Sequence, residues 1–130
     1  MKPITVMYLE MFGKKYELLT YNIRFSQSYN SKNGMPDDRP VADSLYLEII
    51  SDRKDDFINW MLDHEEQHDG KITFLVGTKI VKTISFSESV LVGYNQNPGG
   101  NGKGKEITED LTISFQKIEF EEAEYERVTV

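Results

Sequence analysis

The residues best suited to chemistry are His64-Glu65-Glu66-Gln67-His68, which fit the HExxH pattern of zinc peptidases. In that pattern, two histidines four positions apart on one helix bind zinc, and the glutamate activates a water molecule. These are the only two histidines in the chain, and Glu88 follows at a spacing where some zinc peptidases place a third ligand. The sequence therefore allows a small zinc metallopeptidase as one hypothesis.

The residues around this pattern favour a solvated turn instead. Asp69-Gly70, a turn signal, follows His68 at once, so a helix has no room to continue. Residues 63–69 are all polar or charged, which leaves no apolar side to pack such a helix. Glu88 stands between Ser87 and Ser89 in a strand-like pattern, and we expect no catalytic or metal-binding residue here.

A glycine-rich segment, residues 99–105, fits the GxxxxGK pattern of phosphate-binding loops. A functional loop of this kind continues with Ser or Thr and then a helix, whereas this one continues with Glu106 and an alternating strand pattern. No serine stands in the GxSxG pattern of a nucleophile elbow. We therefore expect a connecting loop, no bound cofactor and no enzyme activity.

Composition limits the partners and the location of the protein. The chain has 130 residues and a net charge of −7, so we expect one domain that phosphate backbones repel and no nucleic-acid partner. No segment approaches the roughly 20 apolar residues of a membrane span. In residues 1–10 polar and apolar residues alternate, so the continuous apolar stretch of a signal peptide is not expected there. We expect a cytoplasmic protein without membrane insertion, unless a route independent of a signal peptide exports it.

Alternating apolar residues predict a mainly β fold of about six strands. A hairpin turn is expected at Gly13-Lys14-Lys15, and a helix is expected over 53–64 with Asp52 as its N-cap. The predicted strands cover about 4–11, 16–28, 42–51, 71–77, 82–94 and 106–120. Their predicted core faces carry Leu19, Tyr21, Ile23 and Phe25; Leu45, Leu47 and Ile49; Ile84, Phe86, Val90, Val92 and Tyr94; and Ile107, Leu111, Ile113 and Phe115.

These elements predict a single domain over 1–130, an antiparallel β-barrel or two-sheet fold with one short flanking helix and an acidic C-terminal tail at about 121–130. Tyr8, Tyr46 and Ile50 lie opposite the main core faces of their strands. Because a small barrel has one interior, a second apolar face needs another partner. The helix could cover part of it and another subunit the rest, or these side chains could be the scattered exposed aromatics of an ordinary surface.

The chain resembles the hemolysin-coregulated protein family of type VI secretion systems, and its Bacteroidetes branch in particular. The resemblance runs from about Tyr8 to Phe120 and rests on the order and spacing of several short segments. They are Leu9-Glu10 with Gly13-Lys14-Lys15-Tyr16, Phe25-Ser26-Gln27-Ser28, the loop with Gly34, Pro36, Arg39 and Pro40, Phe57-Ile58-Asn59-Trp60-Met61, Asp69-Gly70-Lys71-Ile72 with Phe74, and Leu111-Thr112-Ile113-Ser114.

The resemblance implies a structural protein without catalytic residues. It implies homo-hexameric rings that stack into a hollow inner tube, with the sheath, spike and effector proteins of the secretion system as partners. It also implies export through that apparatus without a signal peptide. The loops 29–40 and 95–105 are the expected contacts between rings. A monomeric barrel that binds a small ligand remains a third hypothesis beside the tube protein and the zinc peptidase.

Overall fold

The computed structural model describes residues 2–26, 32–35, 41–42, 44–99 and 106–127. Within these ranges the chain forms ten strands and one helix. The strands are β1 (Val6–Met11), β2 (Lys14–Asn22), β3 (Phe25–Ser26), β4 (Val41–Ala42), β5 (Leu45–Ile50), β6 (His68–Val76), β7 (Lys79–Asn97), β8 (Thr108–Ser114), β9 (Lys117–Glu119) and β10 (Glu124–Glu126), and the helix is α1 (Asp56–Leu62).

Six of the strands close an antiparallel barrel in the order β7-β6-β1-β2-β5-β8, with β8 returning to β7. β9 and β10 extend the sheet beyond β7, while β3 and β4 form a separate two-stranded ribbon. Closure removes sheet edges from the barrel itself, because every barrel strand has two hydrogen-bonded neighbours. The predicted mainly β barrel with one short flanking helix is confirmed.

The barrel interior holds the core, and several predicted core faces point into it. Leu45, Leu47 and Ile49 of β5 face Ile113 and Leu111 of β8, as the pairing of Leu45 with Ile113 and of Leu47 with Leu111 requires. Leu9, Ile72 and Ile84 meet in one row across β1, β6 and β7. All of these side chains are buried, and alternation alone identified those of β5 and β8 and Ile84 of β7.

Strand β2 contains a bulge that the alternation pattern did not predict. Its register with β5 shifts between Leu18 and Thr20. Before the shift Tyr16 and Leu18 are buried, whereas after it Tyr21 is the partly buried residue. The extra residue reverses which side chains of β2 face inward. The predicted core face is therefore wrong at Leu19 and at Phe25, which is 39% exposed, whereas Tyr21 and Ile23 do pack against the core.

Two irregularities in β7 correct the predicted core face of that strand. Glu88 has a positive φ of 50°, and the register with β6 shifts between His68 and Gly70 on the partner strand. The register with β8 shifts again between Leu91 and Gly93. As a result Leu91 is buried and Val92 is half exposed, the reverse of the expectation for Val92.

The other corrections concern where elements begin and end. The first hairpin turns at Phe12 and Gly13, one residue earlier than predicted. α1 spans Asp56–Leu62 and not 53–64, and its N-cap is Asp55 and not Asp52. Asp52 Oδ1 instead accepts a hydrogen bond from the Lys54 amide at 2.9 Å, which builds the turn before the helix.

The predicted last strand is divided into β8 and β9. Phe115, between them, is buried, and the chain then pairs β9 with residues 85–87 of β7. β10 pairs with β9, so part of the predicted acidic tail is a strand. Tyr125 of β10 packs against the core and contacts Phe25 of the ribbon at 5.4 Å between ring centroids. None of the described helical residues forms a segment long and apolar enough to cross a membrane.

Candidate functional surfaces

The HExxH segment does not have the geometry that zinc catalysis requires. α1 ends at Leu62, His64 lies in a turn, and His68 is the first residue of β6. Two histidines share one helical face only if a helix runs through both, and here none does. The His64 side chain is 90% exposed and that of His68 is 28% exposed. Within the described ranges no group of three metal-ligating side chains occurs.

The side chain of His68 packs against aromatic residues and, among the described residues, does not take part in a metal site. Its ring packs edge-on against Phe12, at 4.8 Å between centroids, and against Trp60, at 5.1 Å. Its Nε2 lies 3.1 Å from Glu66 Oε1. Trp60 Nε1 donates a hydrogen bond to the Glu66 backbone oxygen at 2.8 Å, which holds the segment after α1 against the helix. Glu88 lies on β7, where its amide donates to Asp69 Oδ1 at 2.9 Å.

Two tyrosines near α1 act as hydrogen-bond donors to carboxylates. Tyr16 donates to Asp56 Oδ2 at 3.2 Å, and Tyr94 donates to Glu109 Oε1 at 2.6 Å. Burial raises the pKa of both phenols, with the neighbouring carboxylates adding to the effect. Both hydroxyls therefore stay protonated at neutral pH, which suits a structural donor and not a general base.

An apolar row crosses the outer face of the barrel on β5, β8 and β7. Tyr46 pairs with Thr112, and Thr112 pairs with Gly93, next to Val92. Tyr46 and Val92 are each 50% exposed. A Cβ on Gly93 would lie 3.1 Å from Thr112, so glycine allows these strands to approach closely beside the row. We call Tyr46, Thr112 and Val92 the outer row.

Polar side chains border the outer row on the same strands. Asp110 Oδ2 accepts hydrogen bonds from Asn97 Nδ2 at 2.8 Å and from Asn95 Nδ2 at 3.2 Å. Glu48 pairs with Asp110 across β5 and β8. An apolar strip with a hydrogen-bonded polar border is the composition of a protein–protein contact surface.

The other two residues predicted on a second apolar face are more covered. Tyr8 is partly buried, and the Lys15 ammonium lies 5.2 Å from its ring centroid, within cation–π range. Ile50 is partly buried. Of the three, Tyr46 alone offers a large exposed surface.

The outward side of α1 carries a second apolar surface. Phe57 and Trp60 are buried, whereas Ile58 is 39% exposed and Leu62 is 79% exposed. Residues four apart on a helix lie on one face, so Ile58 and Leu62 are neighbours there. Their spacing in the sequence alone does not show that they face outward.

The two loops expected to join rings lie mostly outside the described residues. Of 29–40 the structure describes 32–35, and of 95–105 it describes 95–99. The GxxxxGK segment is likewise outside them except for Gly99. The next element, β8, is a strand and not the helix that a phosphate-binding loop precedes.

Comparison with known proteins gives one family match. The family model described as hemolysin coregulated protein Hcp (TssD) matches residues 5–128. No curated protein matches the sequence.

Solved structures with the same fold include Hcp1 from Flavobacterium johnsoniae, with a TM-score of 0.85 and 24% identity over 94% of this chain and 99% of that one. Hcp1 from Salmonella typhimurium matches with a TM-score of 0.69 and 11% identity over 87% of this chain and 83% of that one. The secreted protein Hcp3 from Pseudomonas aeruginosa matches with a TM-score of 0.63 and 9% identity over 95% of this chain and 99% of that one.

Proposed function

The chain belongs to the hemolysin coregulated protein family (Hcp, TssD), the tube proteins of type VI secretion systems, and we propose that six copies close into a ring and that rings stack into a hollow tube. The observation that carries the proposal is the family match, which extends over residues 5–128 of the 130. The fold, a barrel with a flanking helix that superposes on Hcp1 from Flavobacterium johnsoniae, agrees with it.

The outer row supports a contact between copies. Tyr46 and Val92 leave apolar area in water on a face with a satisfied polar border. Burying apolar area stabilises a contact by roughly 25 cal/mol per Å² before the cost of association. In a ring each subunit meets its neighbour through two different surfaces, so the outer row would contact another surface of the next copy.

In this role the protein is a structural component without catalytic activity. The two arrangements that would contradict this are a zinc site and a phosphate loop. His64 and His68 do not share a helix, and a strand follows the glycine-rich segment. The sheath, the spike and effector proteins would be its partners, and effectors would travel in the lumen. Export would follow the secretion apparatus without a signal peptide.

Negative-stain electron microscopy of the purified chain tests the proposal directly. We expect six-fold rings, and stacks of rings at higher protein concentration. Sedimentation gives the mass of the particle independently, and six copies of a 15.1 kDa chain are easily distinguished from one. A folded monomer at every concentration would refute the proposal.

A further inference from the structure

A hollow rimmed by lysines lies at the end of the β6–β7 hairpin, beside the N-terminal segment. It has a volume of about 720 Å³ and is lined by Lys2, Ile4, Val76, Lys79, Val81 and Lys82. Ile4 and Val81 are among the exposed apolar side chains of the protein. The lining thus combines an apolar floor with three cations and contains no carboxylate.

The charge of this hollow is opposite to that of the whole chain. The net charge is −7, yet three of the 15 lysines and arginines lie together here. Within the described part of the chain, no salt bridge joins Lys2, Lys79 or Lys82 to a carboxylate. A local positive field on an acidic protein attracts an acidic partner and directs its orientation.

The same protein carries a segment of the required chemistry. Residues 119–126 run from β9 through a turn to β10 and hold five exposed glutamates: Glu119, Glu121, Glu122, Glu124 and Glu126. Glu119 and Glu124 pair with Lys117, at 3.1 Å and 3.7 Å. Glu121 accepts a hydrogen bond from the Thr83 amide at 3.0 Å. Glu122 and Glu126 are the glutamates best placed to reach another molecule.

We propose that the lysine hollow binds the acidic segment 119–126 of a second copy of this chain. Each surface leaves charge of one sign exposed on its own molecule, and each is complementary to the other. A contact of this kind would offset part of the repulsion between copies that each carry −7. The inference rests on the proposed assembly and identifies one contact within it.

A contact within one chain is the main alternative, because the two surfaces are neighbours. A groove on the other side of β7 is lined by Val81 and Lys82 together with residues 120–123. Lys82 could therefore approach the acidic turn of its own chain. An experiment that mixes two different variants separates the two cases, because only a contact between copies can be restored by mixing.

Two charge-reversal variants form the test. The first carries Lys79→Glu and Lys82→Glu in the hollow, and the second carries Glu122→Lys and Glu126→Lys in the acidic segment. All four side chains are exposed, so circular dichroism and thermal unfolding should match those of the unchanged protein. Lys54→Glu with Lys71→Glu is the control for the first variant, because it changes the net charge by the same amount at exposed positions away from the hollow.

Sedimentation and electron microscopy measure the assembled fraction for each protein and for an equal mixture. We expect each variant alone to lose assembled material at a concentration where the unchanged chain and the control assemble. We expect the mixture to recover it, since every contact between the two variants pairs opposite charges.

Two results would overturn the inference alone. One is assembly of the hollow variant at the level of the control, and the other is a mixture that recovers nothing although both variants are folded. If the unchanged chain itself stays monomeric, the proposed function fails, and this inference fails with it.

Discussion

Lys14 Nζ lies 2.6 Å from Asp56 Oδ2, so the start of β2 is joined to the first turn of α1. Asp56 also accepts a hydrogen bond from the Tyr16 hydroxyl at 3.2 Å. The Lys14 hydrogen bond is the largest cause that lowers the pKa of Asp56 and, with Asp52 adding to it, raises that of Lys14. These contacts join the helix to the first residues of β2.

Replacing Asp56 with Asn should lower the thermal midpoint at neutral pH by about 1–3 °C, because an exposed ion pair contributes little. A carboxyl whose pKa is lowered on folding stabilises the protein above its unfolded pKa of about 3.8, and that contribution is lost as pH falls through the folded value. The difference between the two proteins should therefore vanish in strong acid. Thermal unfolding at pH 7 and pH 2.5 measures it.

Glu17→Gln is the matched control for that experiment, since Glu17 is an exposed carboxylate on β2. It should leave the midpoint unchanged at both pH values. A loss for Asp56→Asn that persists undiminished in acid would contradict the assigned role of the Asp56 charge.

Replacing Trp60 with Ala should destabilise the chain by about 3–5 kcal/mol, because Trp60 is buried and its loss leaves a cavity. Trp60→Phe should cost less, since the ring is largely retained and the hydrogen bond to the Glu66 oxygen is the main loss. Urea unfolding followed by circular dichroism gives both values. Equal costs for the two variants would show that aromatic packing around α1 is unimportant.

The two histidines should respond differently to substitution. His64→Ala should change stability by less than about 0.5 kcal/mol, because the side chain is 90% exposed. His68→Ala should cost about 1 kcal/mol or more, because its ring packs against Phe12 and Trp60.

Metal analysis accompanies that pair of variants. A zinc peptidase would bind one zinc per chain and lose it equally in both variants, and Glu65→Gln would abolish its activity. Stoichiometric zinc that either substitution removes would favour the peptidase hypothesis over the structural one.

Introducing charge into the outer row should prevent assembly without unfolding the subunit. Val92→Glu replaces a half-exposed apolar side chain, so monomer stability should change by less than about 1 kcal/mol. Val41→Glu is the matched control, because Val41 is 48% exposed on β4 and lies in neither the outer row nor the lysine hollow. Rings of normal appearance from Val92→Glu would exclude the outer row as a contact.

Salt should lengthen the assemblies. Copies with a net charge of −7 repel one another along the axis of a stack, and salt shortens the range of that repulsion. Sedimentation over a series from about 0.05 to 0.5 M salt should show longer stacks at higher salt. Shorter assemblies at high salt would show that attractive ion pairs between rings dominate.

The sequence predicted the barrel because alternation is a local property. On β5, Leu45, Leu47 and Ile49 all face inward, as their spacing indicates. It did not predict where alternation is interrupted. The bulges at Leu18 and at Leu91 depend on how strands far apart in sequence align. The local sequence indicates neither bulge, except that Gly93 lies beside the second one.

Val92 is the residue whose predicted position was wrong because the bulges of β7 could not be predicted. Read by alternation it belongs with Ile84 and Phe86 in the core, yet two irregularities of β7 place it on the outer face. The sequence also does not predict the lysine hollow. Lys79 and Lys82 are near each other on β7, but Lys2 joins them only because β1 and β7 flank β6 in the barrel.

The length of β7 has a mechanical consequence. Its residues 79–89 are bonded to β6 and its residues 90–97 to β8, so one unbroken stretch of backbone passes from one part of the barrel to the other. Antiparallel bonds lie across the strand direction. A force parallel to β7 therefore loads the hydrogen bonds of both ladders at the same time, whereas a force perpendicular to the strand opens them one after another. The subunit should resist the parallel force better.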